Sequence, residues 1–319
     1  MESIGTTTGW VVFGALVLVV LALDLGVFHR RAHAVGVREG LVWSAVWIAL
    51  AAAFGLGVYA HSGSERALEF AAGYLIEKAL SVDNLFVFMV VFSYFGVPAA
   101  LQHRVLFWGI LGALVLRAVF IALGAALLQE FHWVVYVFGG FLVFTGIKLL
   151  LQGEVEVHPE RNPVLRLFRR LVPTVSEYRG ARFTVVEGGR RCATPLLMVL
   201  VVVEATDVVF AVDSIPAVFA VTSDPFVVYT SNVFAILGLR ALYFVLVGML
   251  GRFHYLKLGL GLVLAFVGVK MLLADVYEVP IAASLGVIAA LLAGSVALSL
   301  LRPPTHPPLP VRPPDDAER

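Results

Sequence analysis

Long apolar runs separated by short polar connections make up most of the chain. About nine runs reach the roughly 20 residues that a helix needs to cross a bilayer core. They are centred near residues 18, 48, 80, 115, 143, 208, 237, 264 and 288. The runs are continuously apolar, whereas the strands of a membrane barrel alternate with a period of two. The pattern predicts an all-α polytopic membrane protein with about nine transmembrane helices.

Composition strengthens this prediction, and the placement of charge adds an orientation. The 319 residues are 60% hydrophobic and 14% charged, whereas soluble domains carry about 25% charged residues. With the N-terminus outside, the connections on the inside hold most of the Lys and Arg, and those on the outside hold Arg66 alone. The positive-inside rule therefore predicts an external N-terminus and a cytoplasmic C-terminus.

The polar segments indicate how the chain is divided. We expect a transmembrane domain over residues 1–301, interrupted by a cytoplasmic loop at 152–192, and a disordered proline-rich cytoplasmic tail at 302–319. Within the loop, 162–172 groups apolar residues on one side, which is typical of an interfacial helix. Residues 183–194 contain a Gly-Gly pair between short strips and are expected to form a hairpin. A simply solvated, charged loop is the alternative for both segments.

The single cysteine and the absence of enzyme motifs limit the functions that this protein can have. The single cysteine, Cys192, excludes an intrachain disulfide and a site built from several thiolates. The sequence also shows no nucleophile motif, phosphate-binding loop or multi-histidine site. We therefore expect a protein that is not an enzyme.

The first run precedes the basic residues His29, Arg30 and Arg31, and we expect it to be a retained membrane anchor.

Acidic residues occur where the bilayer core would be. Glu77 and Asp83 lie in the third run, and Asp207 and Asp213 lie in the sixth with the same six-residue spacing. A carboxylate exposed to lipid there costs a few kcal/mol or more, so such residues face the protein interior and are functional candidates. The candidate metal ligands share an oxygen-bearing side chain in or near these runs: Asp24, Glu77, Asp83, Asn84, Glu204, Asp207 and Asp213. For Asp24, a merely interfacial position is equally consistent.

The segments that follow the two acidic runs also resemble each other. Leu-Arg-Ala occurs at 116–118 and at 239–241, Phe-His followed by an aromatic residue at 131–133 and 253–255, and Gly-Ile-Lys or Gly-Val-Lys at 146–148 and 268–270. The repeated units, about 67–151 and 195–273, contain three runs each. Because three is odd, the second unit enters the membrane from the opposite side. Such three-plus-three inverted repeats are typical of secondary transporters, whose sites lie near the midplane.

The residue types around these acids favour a hard divalent cation. Pro216 removes a backbone amide near Asp213, and freed carbonyls beside carboxylates, Asn84, Ser214 and Asn232 would form an all-oxygen site. Oxygen ligands suit manganese, magnesium or calcium. A plain helix kink at Pro216 is the alternative.

Structural ion pairing is the main alternative for the acids themselves. Lys78, Arg117 and Arg240 lie within or at the rim of runs and could neutralise three carboxylates. Six acids lie at or near membrane depth, so they outnumber these bases. Some of them are expected to need a cation or protons.

The motifs ALDLGVFHR at 22–30, EKALSVDN at 77–84, EATDVVFAVDSIPAVFAVTSDP at 204–225 and TSNVFAILGLRALYF at 230–244 resemble the TerC family, which includes tellurium-resistance protein C and bacterial manganese exporters of the LysE-like superfamily. The resemblance implies a bacterial inner-membrane protein that exports or handles metal ions, with the intramembrane acids as candidate ligands.

From the motifs and this resemblance we expect a secondary transporter that exports Mn²⁺, with protons as a candidate coupling ion and no resident cofactor. Its expected partners are the metal ion and the lipid bilayer, and no nucleic acid. The alternative function is a membrane scaffold that assists insertion or stability of other membrane proteins and docks them on the 152–192 loop.

Overall fold

The computed structural model describes residues 3–28, 37–151, 162–247 and 255–301, without the side chains of residues 23–28, 37 and 83. In these ranges the chain forms ten helices and one β-hairpin. The elements are α1 (Thr7–Phe28), α2 (Val37–Tyr94), α3 (Ala99–Glu130), α4 (Val134–Leu151), α5 (Pro163–Leu171), β1 (Thr184–Glu187), β2 (Arg190–Ala193), α6 (Pro195–Phe219), α7 (Pro225–Leu237), α8 (Leu239–Val247), α9 (Leu256–Leu272) and α10 (Ile281–Leu301).

Several of these helices have the length and composition of membrane spans. Among the described residues five helices qualify: α2, α3, α4, α6 and α10. The number rises to six if α7 and α8, which are bent by 40° at their junction, are taken as one span. The prediction of an all-α polytopic membrane protein is confirmed.

The longest helix, α2, contains two of the predicted apolar runs. Gly63 lies between those runs and has a non-helical backbone, with φ of 88° and ψ of 179°. Residues with a side chain are strained at such a φ, and glycine is not. The chain therefore turns at the polar connection that separates the second and third predicted runs.

Glycines bring α4 and α9 into close antiparallel contact. A Cβ atom added at Gly139 would lie 3.1 Å from the carbonyl oxygen of Gly268, and one added at Gly146 would lie 2.7 Å from that of Gly261. The reverse contacts are equally close, with 2.8 Å from Gly268 to Gly139 and 3.1 Å from Gly261 to Gly146. Small residues are typical of helix interfaces in membranes because they allow close van der Waals packing.

The loop between α4 and α6 is packed against the helices. Asn162 caps α5 by accepting hydrogen bonds from two backbone amides, and Leu165 is buried whereas Leu171 is exposed. The predicted hairpin is confirmed, with β1 and β2 paired antiparallel across Gly188 and Gly189. Tyr178 donates a hydrogen bond to the carbonyl of Phe95 at the end of α2, and burial raises the pKa of its phenol to about 12.

Some predictions fall outside the described residues. They include the first part of the loop, at 152–161, the basic segment at 29–36, the second Phe-His pair at 253–254 and the proline-rich tail at 302–319.

The glycine contact between α4 and α9 can be tested with a matched pair of substitutions. We expect Gly146→Ala to destabilise the protein by about 1–3 kcal/mol, because the new methyl group would meet backbone atoms of α9 that cannot move aside easily. Gly140→Ala is the control, since nothing lies within 4 Å of a Cβ atom there. Thermal unfolding of the purified proteins in detergent measures the difference, and equal unfolding temperatures for the two variants would contradict the tight contact.

Candidate functional site

A buried arginine joins three helices. The side chain of Arg117, near the middle of α3, is fully buried. Its guanidinium donates hydrogen bonds to Glu77 Oε1 on α2, to Asp207 Oδ1 on α6 at 3.4 Å and to Ser214 Oγ on α6 at 3.3 Å. Glu77 and Asp207 are the acids that the repeat pattern pairs with each other. One cation therefore holds the equivalent acids of both proposed repeat units.

The two acids are bound unequally and incompletely. Arg117 lies close against Glu77, whereas its distance to Asp207 exceeds the 2.7–3.2 Å range usual for such bonds. Glu77 is 0% exposed and Asp207 is 4% exposed, yet Oε2 of Glu77 and Oδ2 of Asp207 have no hydrogen-bond partner in the structure. Buried polar atoms normally have one. The arrangement leaves two carboxylate oxygens available inside the protein.

A third acid lies one helical turn away from Asp207. Glu204 precedes it by three residues, so both project from neighbouring positions on α6. The carboxylate of Glu204 rests on the backbone of α3 at Gly112, where an added Cβ atom would clash with its Oε1. Its Oε2 is also buried without a partner. Glu204 therefore adds a third carboxylate close to Asp207 on α6.

Lys78 has a different role from its neighbour Glu77. Its ammonium group donates to the carbonyl of Ala235 at 3.2 Å and lies against Gly238, the residue between α7 and α8. A helix end has carbonyls with no partner in the helix, and a cation near it is favourable. The ion-pair alternative therefore applies to Arg117, while Lys78 supports the break in the α7–α8 pair.

The site of helix interruption differs from the one that the sequence suggests. Helix α6 continues through Pro216 to Phe219, although the proline cannot donate to the carbonyl four residues earlier, that of Val212. The bend occurs instead at Gly238, immediately before Leu239 and Arg240. Pattern alone marks Pro216 because proline is a known helix breaker. Gly238 is packed closely against Lys78 and Trp47, a contact that the pattern does not reveal.

The remaining candidates are only partly brought together. Asn84 is buried on α2, Asp213 is half-buried on α6, and the side chains of Asp24 and Asp83 lie outside the described part of the structure. Asn232 on α7 is fully buried, and neither atom of its amide has a hydrogen-bond partner. Among the side chains that the structure describes, no three Asp, Glu, His or Cys residues are grouped closely enough to hold a metal ion.

A separate polar cluster lies at the surface where α4 begins. Asp275, which follows α9, accepts a hydrogen bond from the hydroxyl of Tyr136 and lies 3.1 Å from His132 Nε2. These partners lower the pKa of the Asp275 carboxyl, with the tyrosine hydroxyl as the larger cause. All three side chains are exposed, so this cluster belongs to the protein surface, unlike the buried acids Glu77 and Asp207.

Comparison with known proteins identifies the family. The sequence model of the Integral membrane protein TerC family matches residues 62–306. The chain belongs to the TerC family. The match begins beside the break at Gly63 and includes Glu77, Arg117, Glu204 and Asp207.

Relatives in other bacteria match over nearly the whole chain. A membrane protein of Myxococcus xanthus described as uncharacterized is 56% identical over 94% of both chains. Proteins named "Putative membrane-bound redox modulator Alx" are 48% identical in Escherichia coli K12, over 90% of this chain and 92% of theirs, and 45% identical in Photorhabdus laumondii, over 94% and 97%. No solved structure matches the chain.

The energetic role of Arg117 can be tested by removing its charge. We expect Arg117→Met to destabilise the protein by about 3–5 kcal/mol, because two buried acids lose the cation between them. Arg179→Met is the control, since Arg179 pairs with Glu177 and Glu187 on the exposed loop surface, where ion pairs contribute about 0–1 kcal/mol. Unfolding of both variants in detergent would be compared, and a similar small effect for each would contradict a stabilising role for Arg117.

Proposed function

We propose that this protein is a secondary transporter that moves a divalent metal ion, with Mn²⁺ as the leading candidate, out of the cytoplasm. The observation that carries the proposal is the pair of buried acids, Glu77 and Asp207, that share the guanidinium of Arg117. Each of them keeps one carboxylate oxygen without a hydrogen-bond partner, as does Glu204 one helical turn away on α6. Carboxylates away from water are not stable as isolated anions. They pair, take up protons or bind a cation, and two carboxylates beside one guanidinium leave negative charge that a divalent ion can compensate.

The contact between α4 and α9 supports an inverted repeat. In the sequence alignment of the two units Gly139 corresponds to Gly261, and Gly146 corresponds to Gly268. In the structure Gly139 touches Gly268 and Gly146 touches Gly261. Such exchanged partners are what a two-fold axis between equivalent helices produces. We place a pseudo-two-fold axis between these helices, parallel to the membrane plane as in other inverted-repeat transporters.

We propose nine membrane spans. These are α1, the parts of α2 before and after Gly63, α3, α4, α6, the α7–α8 pair, α9 and α10. The balance of Lys and Arg in the sequence favours an external N-terminus and a cytoplasmic C-terminus in the bacterial inner membrane. In this arrangement α2 and α6 enter from opposite faces, which is consistent with Arg117 binding one acid from each.

The proposed chemistry is transport rather than an enzymatic reaction. Oxygen ligands from carboxylates and amides such as those of Asn84 and Asn232 suit manganese, magnesium or calcium. The same carboxylates can take up protons when the metal leaves, so protons are the proposed coupling ion. Neither step requires a resident cofactor.

A membrane scaffold remains the second candidate, and the packing of the loop is the observation that favours it. The hairpin is attached to the bundle by Phe183, whose ring lies beside Trp108 and Arg104 of α3. Val186 at the edge of the hairpin is 71% exposed.

The name of the Alx relatives refers to redox modulation. We propose that any such effect in this chain would be indirect, because its single cysteine, Cys192, is buried and bonded to the backbone of Arg190.

The transport proposal predicts that neutralising single intramembrane acids abolishes metal movement. We expect Asp83→Asn or Asp213→Asn to reduce Mn²⁺ uptake into inside-out vesicles to background while the protein remains in the membrane, because each removes one of the carboxylates that we propose as ligands of the cation. The measurement follows radioactive Mn²⁺ with and without a pH gradient. Glu187→Gln is the control, since this acid lies on the exposed hairpin. Normal uptake by both Asp variants would remove these residues from the site.

Comparing a loop deletion with an acid substitution separates the two candidate functions. A transporter that lacks residues 184–193 should keep most of its Mn²⁺ uptake once it is folded, whereas Asp207→Asn should not. A scaffold should show the opposite order when the abundance of other membrane proteins is measured. The outcome to look for is which variant causes the larger defect in each assay.

A further inference from the structure

The buried acids already hold a cation, which belongs to the protein itself. The guanidinium of Arg117 lies between Glu77 of α2 and Asp207 of α6, and all three residues are at most 4% exposed. We propose that Arg117 acts as an internal substitute for the transported ion: it compensates the acids when the site is empty, and an incoming divalent cation takes its place on at least one of them. This inference rests on the proposed transport function.

The contacts of Arg117 with α6 are weak enough for another cation to replace them. Its bonds to Asp207 and Ser214 are long, at 3.4 and 3.3 Å, and its Nε has no partner although it is buried. A guanidinium fixed for structure alone would be expected to use its planar set of donors on both acids. Here only the contact with Glu77 is close. The attachment to α6 is therefore the one that can be given up at a small cost.

Each of the acids also has a carboxylate oxygen that makes no hydrogen bond. Oε2 of Glu77 and Oδ2 of Asp207 have no partner, and neither has Oε2 of Glu204. These three residues come from both proposed repeat units, but they are not close enough in the present arrangement to hold a metal ion together. The guanidinium occupies the space between two of them. Its withdrawal would let α2 and α6 present carboxylates to the same ion.

An internal cation would solve an electrostatic problem of transport. After releasing a metal ion, a carrier must return with its site empty, and an uncompensated group of buried carboxylates is strongly unfavourable at that stage. A tethered guanidinium supplies positive charge at that stage without leaving the protein. Because the ion and Arg117 compete, the apparent affinity for the ion is lowered by the fraction of molecules in which Arg117 occupies the site.

The test combines a cavity at position 117 with a soluble guanidinium. Full-length protein in lipid nanodiscs is titrated with Mn²⁺, and free Mn²⁺ is measured by electron paramagnetic resonance. We expect Arg117→Ala to bind Mn²⁺ about 5- to 150-fold more tightly than the unmodified protein, the usual range of coupling between sites. Millimolar methylguanidinium should occupy the vacated position and raise the apparent dissociation constant of this variant in proportion to its concentration.

A nearby control separates charge from cavity volume. Leu114→Ala opens a cavity one turn earlier on α3, at a buried residue that carries no charge. Its affinity for Mn²⁺ should be unchanged, with no response to methylguanidinium. If Arg117→Ala folds only when methylguanidinium is present, Arg117→Lys provides the affinity measurement. The compact ammonium of lysine cannot bridge both acids as a guanidinium does, so this variant should also bind Mn²⁺ more tightly than the unmodified protein.

The possible results have distinct meanings. Tighter binding together with competition by methylguanidinium supports the inference. Mn²⁺ affinity that is unchanged in both Arg117 variants, or methylguanidinium that binds without affecting Mn²⁺, overturns the inference and leaves the proposed function standing. Failure of the unmodified protein and all variants to bind Mn²⁺ overturns the proposed function and the inference with it.

Discussion

The ion pair of Arg117 with Glu77 and Asp207 is the interaction on which the centre of this protein depends. It connects α2, α3 and α6 through groups that are almost completely removed from water. Burying ions is costly, so a pair of this kind is seldom the most stabilising choice for a site, and apolar side chains often serve as well. Its presence in the bundle therefore points to a role for the charges beyond holding the helices together.

The rest of the bundle positions these charges by close packing. Glycines remove the bulk that would separate α4 from α9, and Gly112 lets the carboxylate of Glu204 lie directly on α3. Lys78 satisfies a carbonyl at the end of α7, where the helix bends before Arg240. The glycines stand where any side chain would clash, and Lys78 stands where its ammonium group meets a backbone carbonyl. The polar interior is thus built from a few residues, and changes at any of them are expected to alter the geometry of the acids.

Membership of the TerC family places these features in a group of bacterial membrane proteins that are similar over their whole length. The family match covers the proposed repeat units and the acidic positions of both. The relatives' names describe a membrane location and, for some, redox modulation. The contact of Glu77 and Asp207 with one guanidinium is the physical reason for our proposal that this chain handles cations.

The sequence by itself determined the class of the protein, because long apolar runs have few options besides membrane helices and because acids within them need partners. It also placed the connection near Gly63, the Gly-Gly hairpin and the candidate acids, with Arg117 as an alternative partner for them. Only the tertiary structure decided that Arg117 binds one acid from α2 and one from α6, that Lys78 binds a carbonyl, and that a helix interruption lies at Gly238 while α6 continues through Pro216. Such choices depend on which helices meet and at what distance, and spacing along one chain carries no information about that.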